Sequence, residues 1–268
     1  MPSSLDEISE EKGLWALLKG ASGSGKSVAA MSWPTPYIFD FDKKQPGIAR
    51  KHFPNKEIHY DTFSDMFQAS EKLADFIANG CPYETLITDT ITSLTYNIIK
   101  SVGQVKGDST PDLLKKMRGS TNKTLEMLGY DYYNAETRYM KYWLDGLQEL
   151  WARPGNPKHV IVIAHILTTE YTDMKTKVIT KASSIVTAGK AVAAYIPAQF
   201  DNEWFFSIRG SGLGEDEEIQ HLCCTESIGD IFAKSNINVP PLINFHNKNL
   251  YRRIEELKLS SDPAIDLS

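Results

Sequence analysis

Short apolar runs alternate along the chain with longer segments whose apolar residues recur at helical spacing. The apolar runs span residues 14–18, 36–42, 85–89 and 159–164. Runs of this kind between turn-forming residues predict buried strands. The segments 63–79 and 134–151 predict amphipathic helices between them. Strands that alternate with helices favour an α/β fold with a mostly parallel central sheet and right-handed crossovers.

The second half of the chain is predicted to add strands. Segments with the composition of strands are 168–178, 203–208 and 218–224, and 249–257 has that of a short closing helix. The polar ends, 1–12 and 259–268, offer no apolar face to a core. We therefore predict one domain over 13–258, flanked by two flexible tails.

Composition narrows the class of protein. Hydrophobic residues make up 41% and charged residues 24% of the 268 positions, as in ordinary soluble proteins. No segment has the apolar length of a membrane span, so we predict a cytoplasmic protein without membrane contact. The three cysteines, Cys81, Cys223 and Cys224, form no C-x-x-C pair, which argues against a disulfide framework or a zinc site. With a net charge of −5, nucleic-acid binding must be confined to local basic segments.

The strongest chemical signal is at residues 20–27, which read Gly-Ala-Ser-Gly-Ser-Gly-Lys-Ser. This is a complete G-x-x-x-x-G-K-[ST] phosphate-binding loop between a predicted strand and a helical segment, the context in which the pattern is specific. Glycines let the backbone wrap a phosphate, and the N–H groups of the loop and of the helix N-terminus point at the anion. The residues predicted to contact the phosphates are Gly20, Ala21, Ser22, Gly23, Ser24, Gly25, Lys26, Ser27 and Val28.

Three side chains are predicted to act directly on the phosphates and their metal ion. Lys26 is expected to reach the β and γ phosphates, and the Ser27 hydroxyl to hold Mg²⁺. Asp89 ends an apolar strand, at the edge of the sheet where a Walker-B carboxylate contacts the ion or one of its waters. The segment 247–250 lacks the Asp of a guanine-reading Asn-Lys-x-Asp motif. The predicted cofactors are therefore ATP and Mg²⁺.

Further polar residues follow the predicted strands. Asp40 and Asp42 end the second strand, where either carboxylate is placed to orient or deprotonate an attacking water. For Asp40, hydrogen bonding to the loop that follows is an equally good interpretation. His165 closes the strand at 159–164, where an imidazole either senses the γ phosphate or has a structural role.

Taken together, these strand ends resemble the RecA-like P-loop ATPases, and more closely the phage-encoded nucleotide-binding proteins of the single-strand annealing and recombination type. The resemblance covers roughly residues 14–243. It implies a RecA-like core with extra C-terminal strands, and a location in the host cytoplasm if the protein is phage-encoded. The acid-x-acid pattern of such cores assigns water activation to Asp42, which is Asp where RecA has Glu, and assigns γ-phosphate sensing to His165.

The resemblance also implies a homo-oligomer whose ATP sites lie between subunits. Lys234, ahead of Pro240 and Pro241, corresponds to the basic residue that acts on a neighbour's γ phosphate. The sequence departs here from the more common Lys-x-Arg form.

In RecA-like proteins the DNA-binding loops follow the third and fourth strands, which here gives stretches near 101–123 and 170–190. Their basic residues are Lys106, Lys115, Lys116, Arg118 and Lys123 in the first, and Lys175, Lys177, Lys181 and Lys190 in the second. Basic loops on an acidic protein predict single-stranded DNA as a partner, although such loops are also often merely solvated. Tyr130, Tyr132 and Tyr133 either stack on bases or pack within a helix.

Two other functions remain open from the residues alone. One is a nucleotide-regulated motor or assembly ATPase that acts on a protein or on duplex DNA. The other is a phosphotransferase that passes the γ phosphate to a small molecule. The second usually needs an Arg-rich lid, and only Arg118 and Arg138 occur between Asp89 and Trp151.

Overall fold

The computed structural model describes residues 13–105, 130–155, 157–172, 179–211, 218–245 and 249–258. The predicted tails at 1–12 and 259–268 lie outside these ranges. Strands in the described ranges are β1 Trp15–Gly20, β2 Pro36–Asp40, β3 His59–Thr62, β4 Thr85–Asp89, β5 His159–Thr172, β6 Ile179–Ile185, β7 Asn202–Ser211, β8 Glu218–Cys224 and β9 Leu242–Asn244. Helices are α1 Lys26–Met31, α2 Gln45–His52, α3 Met66–Asn79, α4 Ile91–Val105, α5 Tyr130–Ala152, α6 Lys190–Tyr195 and α7 Leu250–Lys258, with a 3₁₀ turn at Ile196–Gln199.

The strands form one sheet in the order β3-β2-β4-β5-β1-β7-β8-β9. The first six of these are parallel, and β8 and β9 continue the sheet in antiparallel pairs. The predicted α/β fold class, with a mostly parallel central sheet and extra C-terminal strands, is confirmed. Because all connections return to the same end, the carboxyl ends of β1, β2, β4 and β5 share one edge of the sheet.

The central strand β1 is buried along its whole length because helices cover both faces of the sheet. Trp15 and Leu17 contribute to the core under α3, α4 and α5. Ala16 and Leu18 contribute to the core on the opposite face, which includes residues of α1 and α7. No helix in the described ranges is long and apolar enough to cross a bilayer.

Beyond residue 165, β5 leaves the main sheet and forms an antiparallel hairpin with β6. The predicted strand at 168–178 is correct as far as Thr172, and residues 173–178 lie outside the described ranges. The pairing runs from Ile166 opposite Ile185 to Thr172 opposite Ile179. Of the second predicted basic stretch, near 170–190, the described residues 170–172 and 179–185 are therefore strands that continue from the main sheet.

Candidate phosphate-binding site

The loop between β1 and α1 takes a shape that requires glycine. Gly23 and Gly25 have φ angles of 81° and 93°, in the left-handed region that side chains disfavour. At Gly25 an added Cβ would also lie 3.1 Å from both His221 Nδ1 and Phe245 Cζ. At Gly20 it would lie 2.3 Å from the Phe206 carbonyl oxygen. The backbone at Gly20 and Gly25 is therefore held by close packing. At Gly23, by contrast, an added Cβ would meet no atom within 4 Å.

Lys26, the first residue of α1, lies inside this loop and is only 4% exposed. Its Nζ donates to the carbonyl oxygens of Gly20 at 2.8 Å and Ala21 at 2.7 Å, and to Ser24 Oγ at 3.3 Å. Burial lowers the pKa of Lys26 to about 8, and the charges of Asp89 and Asp42 limit the decrease. A buried ammonium group that stays mostly protonated at neutral pH suits a ligand carrying several negative charges.

Asp89 ends β4 and is 2% exposed. Its carboxylate accepts hydrogen bonds from the Ser27 hydroxyl and from Nε2 of Gln45. Burial raises the pKa of Asp89 to about 6; the Ser27 hydrogen bond opposes this increase and the charge of Asp42 adds to it. A hydroxyl and a carboxylate side by side are the oxygen donors that Mg²⁺ takes next to nucleotide phosphates.

Among the described residues there is no cluster of three or more His, Cys, Asp or Glu side chains that could hold a metal ion alone. Mg²⁺ is commonly bound through one or two carboxylates together with substrate phosphates and waters. Ser27 and Asp89, at the mouth of the loop, fit this mode of binding.

Asp42 lies in the turn after β2 and joins three elements. Its Oδ1 accepts from Thr90 Oγ1 at 3.2 Å and from the Ser93 hydroxyl, both at the start of α4. Its Oδ2 lies 3.7 Å from Nε2 of His165 on β5. Burial raises the pKa of Asp42, but hydrogen bonds from His165 and Ser93 and the charge of Lys44 outweigh it and hold that pKa well below its usual range. The carboxylate therefore stays ionised.

His165 stands beside the loop because it pairs with Gly20 in the register of β5 on β1. Its backbone N–H donates to Thr92 Oγ1 at 3.1 Å, and its side chain is 26% exposed. Nδ1 is buried and has no hydrogen-bond partner among the residues that the structure describes. The ring is thus fixed by its strand on one side and faces Asp42 on the other.

Asp40 differs from Asp42 in its partners. It is fully buried and accepts from the backbone N–H groups of Lys43 at 2.7 Å and Gln45 at 3.3 Å. Burial raises the pKa of Asp40, and these backbone hydrogen bonds counteract the increase. Since its oxygens are used by the turn between β2 and α2, Asp40 fits the structural interpretation of the two considered for it.

Lys234 does not join this cluster. Its backbone exchanges hydrogen bonds of 2.9 and 2.8 Å with Glu203 on β7. Glu203 pairs with Leu17, three residues before Gly20 on β1. Lys234 therefore lies toward the middle of the sheet and away from the phosphate loop of its own chain.

Most of the basic residues that were predicted to contact DNA lie outside the described ranges. Lys106, Lys115, Lys116, Arg118, Lys123, Lys175 and Lys177 lie outside the described ranges. Lys181 lies in β6, and Lys190 is exposed at the start of α6. Of the two interpretations of Tyr132, packing within the fold fits the structure, because the residue is 7% exposed and clusters with Ile99 and Ala188.

Sequence reasoning missed three contributors to this edge of the sheet. Gln45, at the start of α2, was not predicted as a site residue, yet it hydrogen-bonds Asp89. Ser93 was not predicted to bind Asp42. His221 lies on β8 with Nδ1 3.3 Å from the Ser24 carbonyl oxygen, behind the loop. None of the three stands in a motif, so their positions follow only from the fold.

A glycine-rich loop that opens a helix and faces a strand-end carboxylate defines the class of P-loop nucleotide-binding proteins. Residues 12–234 match the family model AAA_24, described as an AAA domain. The chain therefore belongs to this AAA domain family of P-loop ATPases.

Two solved structures are similar to this chain at low sequence identity. A KaiC-like protein from Pyrococcus horikoshii OT3 matches with 10% identity and a TM-score of 0.40, over 87% of this chain and 90% of its own. The flagellar accessory protein FlaH from Methanocaldococcus jannaschii matches with 12% identity and a TM-score of 0.39, over 87% and 85%. No curated protein matches the sequence.

Proposed function

We propose that this protein is a Mg²⁺-dependent, RecA-like ATPase that hydrolyses ATP. One observation carries the proposal. The phosphate loop, Asp89, Asp42 and His165 converge at the carboxyl ends of four neighbouring strands, with Asp42 Oδ2 and His165 Nε2 3.7 Å apart. A phosphate cradle, a metal-binding carboxylate and a polar pair beside them supply the parts that phosphoryl transfer to water requires.

Binding is assigned to the loop and to the two residues that follow it. Lys26 contacts the β and γ phosphates, and its charge compensates theirs inside a buried site. Ser27 and Asp89 hold Mg²⁺, which, when bound, neutralises charge on the phosphate oxygens. Asp89 is ionised at neutral pH, since its pKa is about 6.

Asp42 is assigned to the attacking water. A carboxylate with a strongly lowered pKa is a weak base, so Asp42 orients the water rather than removing its proton early. The loose transition state of phosphoryl transfer needs positioning more than base strength. Attack forms the bond from the water oxygen to the γ phosphorus and breaks the bond to the β–γ bridging oxygen, which yields ADP and phosphate. His165 holds Asp42 and senses the γ phosphate.

We further propose single-stranded DNA as the partner, in recombination or annealing of the phage type. Support comes from the β5–β6 hairpin, which begins directly after His165. Its residues 167–170 and 182–184 are exposed. Lys190 follows the hairpin, and Lys175 and Lys177 lie in the sequence between its two strands, outside the described ranges. A strand shared between the γ-phosphate sensor and an exposed hairpin gives ATP a direct route to influence a bound polymer.

We also propose that the active form is a homo-oligomer. Lys234 lies away from the phosphate loop of its own chain, so a role on ATP requires a neighbouring subunit. Chromatography with light scattering in ATP and in ADP tests this. A monomer in both nucleotides contradicts it.

The deciding experiment measures phosphate release with ATP and Mg²⁺, alone and with single-stranded or duplex DNA. Stimulation by single strands supports the full proposal. A preference for duplex DNA favours a motor, and ATP hydrolysis unaffected by either DNA favours an assembly ATPase with a protein partner. No hydrolysis under any condition contradicts the assignment of an ATPase.

A further inference from the structure

Gln45 is the most completely buried amide near the candidate site, with 1% of the residue exposed. It is the first residue of α2, and its backbone N–H is already used by Asp40. Its side chain turns toward the end of β4, where Nε2 donates to Oδ2 of Asp89. One half of the amide therefore holds the carboxylate that is assigned to the metal ion.

The other half of the amide has no partner in the described part of the chain. Oε1 of Gln45 is buried and accepts no hydrogen bond there. Buried carbonyl oxygens of this kind are nearly always paired, because leaving one unpaired costs its full desolvation free energy. Turning the amide over would not help, since it would place the carbonyl oxygen against the ionised Asp89 carboxylate.

A group that would satisfy Oε1 must be a hydrogen-bond donor that arrives next to Asp89. Mg²⁺ loses its waters reluctantly and keeps several of them when it binds through a carboxylate and phosphates. Those waters are strong donors because the ion polarises them. The amide of Gln45 offers both groups that such a site needs, since its N–H binds the carboxylate and its oxygen is an acceptor without a partner among the described residues.

We propose that Gln45 is a positioning residue of the magnesium site, which holds Asp89 through Nε2 and accepts a hydrogen bond from a Mg²⁺-bound water at Oε1. This inference rests on the proposed function, because it requires that Mg²⁺ and a nucleotide bind at the phosphate loop. Outer-shell partners of this type typically change metal affinity by about 10- to 100-fold when they are removed.

The test measures metal binding rather than turnover. Binding of a fluorescent ADP is followed by anisotropy in EDTA and then at increasing Mg²⁺. Gln45→Met keeps the length of the side chain and removes both polar atoms. We expect it to raise the Mg²⁺ concentration at half-effect by about tenfold and to leave the affinity for ADP in EDTA within about twofold. Gln68→Met, on the exposed face of α3, is the matched control and should behave as the wild type.

A second variant keeps the test decisive if Gln45→Met does not fold. Gln45→Asn is polar and tolerated at a helix start, but it is one methylene too short to reach both Asp89 and a metal-bound water. It should raise the Mg²⁺ midpoint as well. Loss of thermal stability or of metal-free ADP affinity, with an unchanged Mg²⁺ midpoint, would show a merely structural role and overturn the inference. Failure of the wild type to bind ADP at all would instead overturn the proposed function beneath it.

Discussion

At the scale of single residues, the site combines groups whose burial is unfavourable for the fold. Lys26 and Asp89 are buried charges whose pKa values move toward neutrality, to about 8 and about 6. Such shifts cluster where a protein prepares a binding or reaction site, since a ligand of opposite charge offsets the cost. Lys26 therefore gives a prediction for activity, and Asp89 gives one for stability.

Lys26→Ala should abolish ATP hydrolysis, because nothing else in the loop carries its charge into contact with the phosphates. Phosphate release in the presence of Mg²⁺ measures this. Lys51→Ala, an exposed lysine on α2, is the control and should keep wild-type activity. A Lys26→Ala variant with an unchanged rate would contradict the assignment of the site.

Asp42→Asn should bind ATP with an affinity near that of the wild type but lose at least about 100-fold in turnover. The amide keeps the size of the side chain, but it loses the charge that faces His165. Equilibrium binding and single-turnover hydrolysis separate the two effects. Normal turnover would place the group that orients the water elsewhere.

Asp89→Asn should make the metal-free protein more stable at pH 7. Burial raises the pKa of Asp89 from 3.8 to about 6, so between these values the folded protein keeps a proton that the unfolded chain has released. Folding stability therefore falls as pH rises through this window, and the full cost is present at pH 7. We expect the variant to unfold a few degrees higher in EDTA at pH 7.

The advantage of Asp89→Asn should disappear near pH 4, where the wild-type carboxyl is protonated in the folded protein. Thermal unfolding at both pH values measures the difference. A variant that is less stable than the wild type at pH 7 would mean that its hydrogen bonds with Ser27 and Gln45 outweigh the burial of charge.

Residues in motifs were predicted from the sequence, and residues placed by tertiary contacts were not. The loop at 20–27 is specified by glycines and a lysine at fixed spacing, and Asp89 by its position after an apolar strand. Gln45 precedes a proline in an ordinary turn sequence. Its role depends on Asp40 capturing its backbone N–H and on β4 lying next to β2, and neither contact is written in local sequence.

At the scale of elements, buried strands were predicted well and exposed elements poorly. Strand β3 was missed because His59–Thr62 is polar and, within the described ranges, lies at the edge of the sheet next to β2. Helix α2 was missed because Gln45 is its only fully buried residue, so it has no apolar stripe. Strand β6, which pairs with the predicted end of β5, was missed because part of it, residues 182–184, is exposed on the surface.

The C-terminal end of helix α1 is hydrogen-bonded by Lys56, and this contact can be tested separately. Lys56 Nζ donates to the carbonyl oxygens of Met31, Ser32 and Trp33 at 2.6 to 2.9 Å. These carbonyls have lost their helical partners, so a lysine there stabilises the helix end. Lys56→Met should lower the free energy of unfolding by about 1–2 kcal/mol in urea titrations. Lys51→Met, on an exposed part of α2, should change it by less than about 0.5 kcal/mol.

At the scale of the whole molecule, the order of the strands explains why the site residues lie together at one edge of the sheet. Strand β5 lies between β1 and β4, so His165 stands between the phosphate loop and Asp89. The antiparallel strands β8 and β9 then extend the sheet beyond β7. The order of the strands was beyond sequence reasoning, because strand patterns specify burial and not neighbours.

If single-stranded DNA binds through the basic segments, its stimulation of ATP hydrolysis should fall steeply between about 50 and 200 mM salt, while hydrolysis without DNA changes little. The reason is that counterion release drives binding to phosphate backbones, whereas ATP is held in a buried loop. Rates measured across this range with and without DNA provide the check. Stimulation that is independent of salt would argue against these lysines as the contact.

The side chains that pack behind Gly25 determine when the loop can take its shape during synthesis. His221 and Phe245, against which the loop packs, follow it in the sequence by about two hundred residues and are therefore made long after it. During synthesis, residues 20–27 therefore emerge before the side chains that pack against them. Those side chains follow only after about two hundred further residues. A nascent chain released early has the complete motif but not the complete cradle.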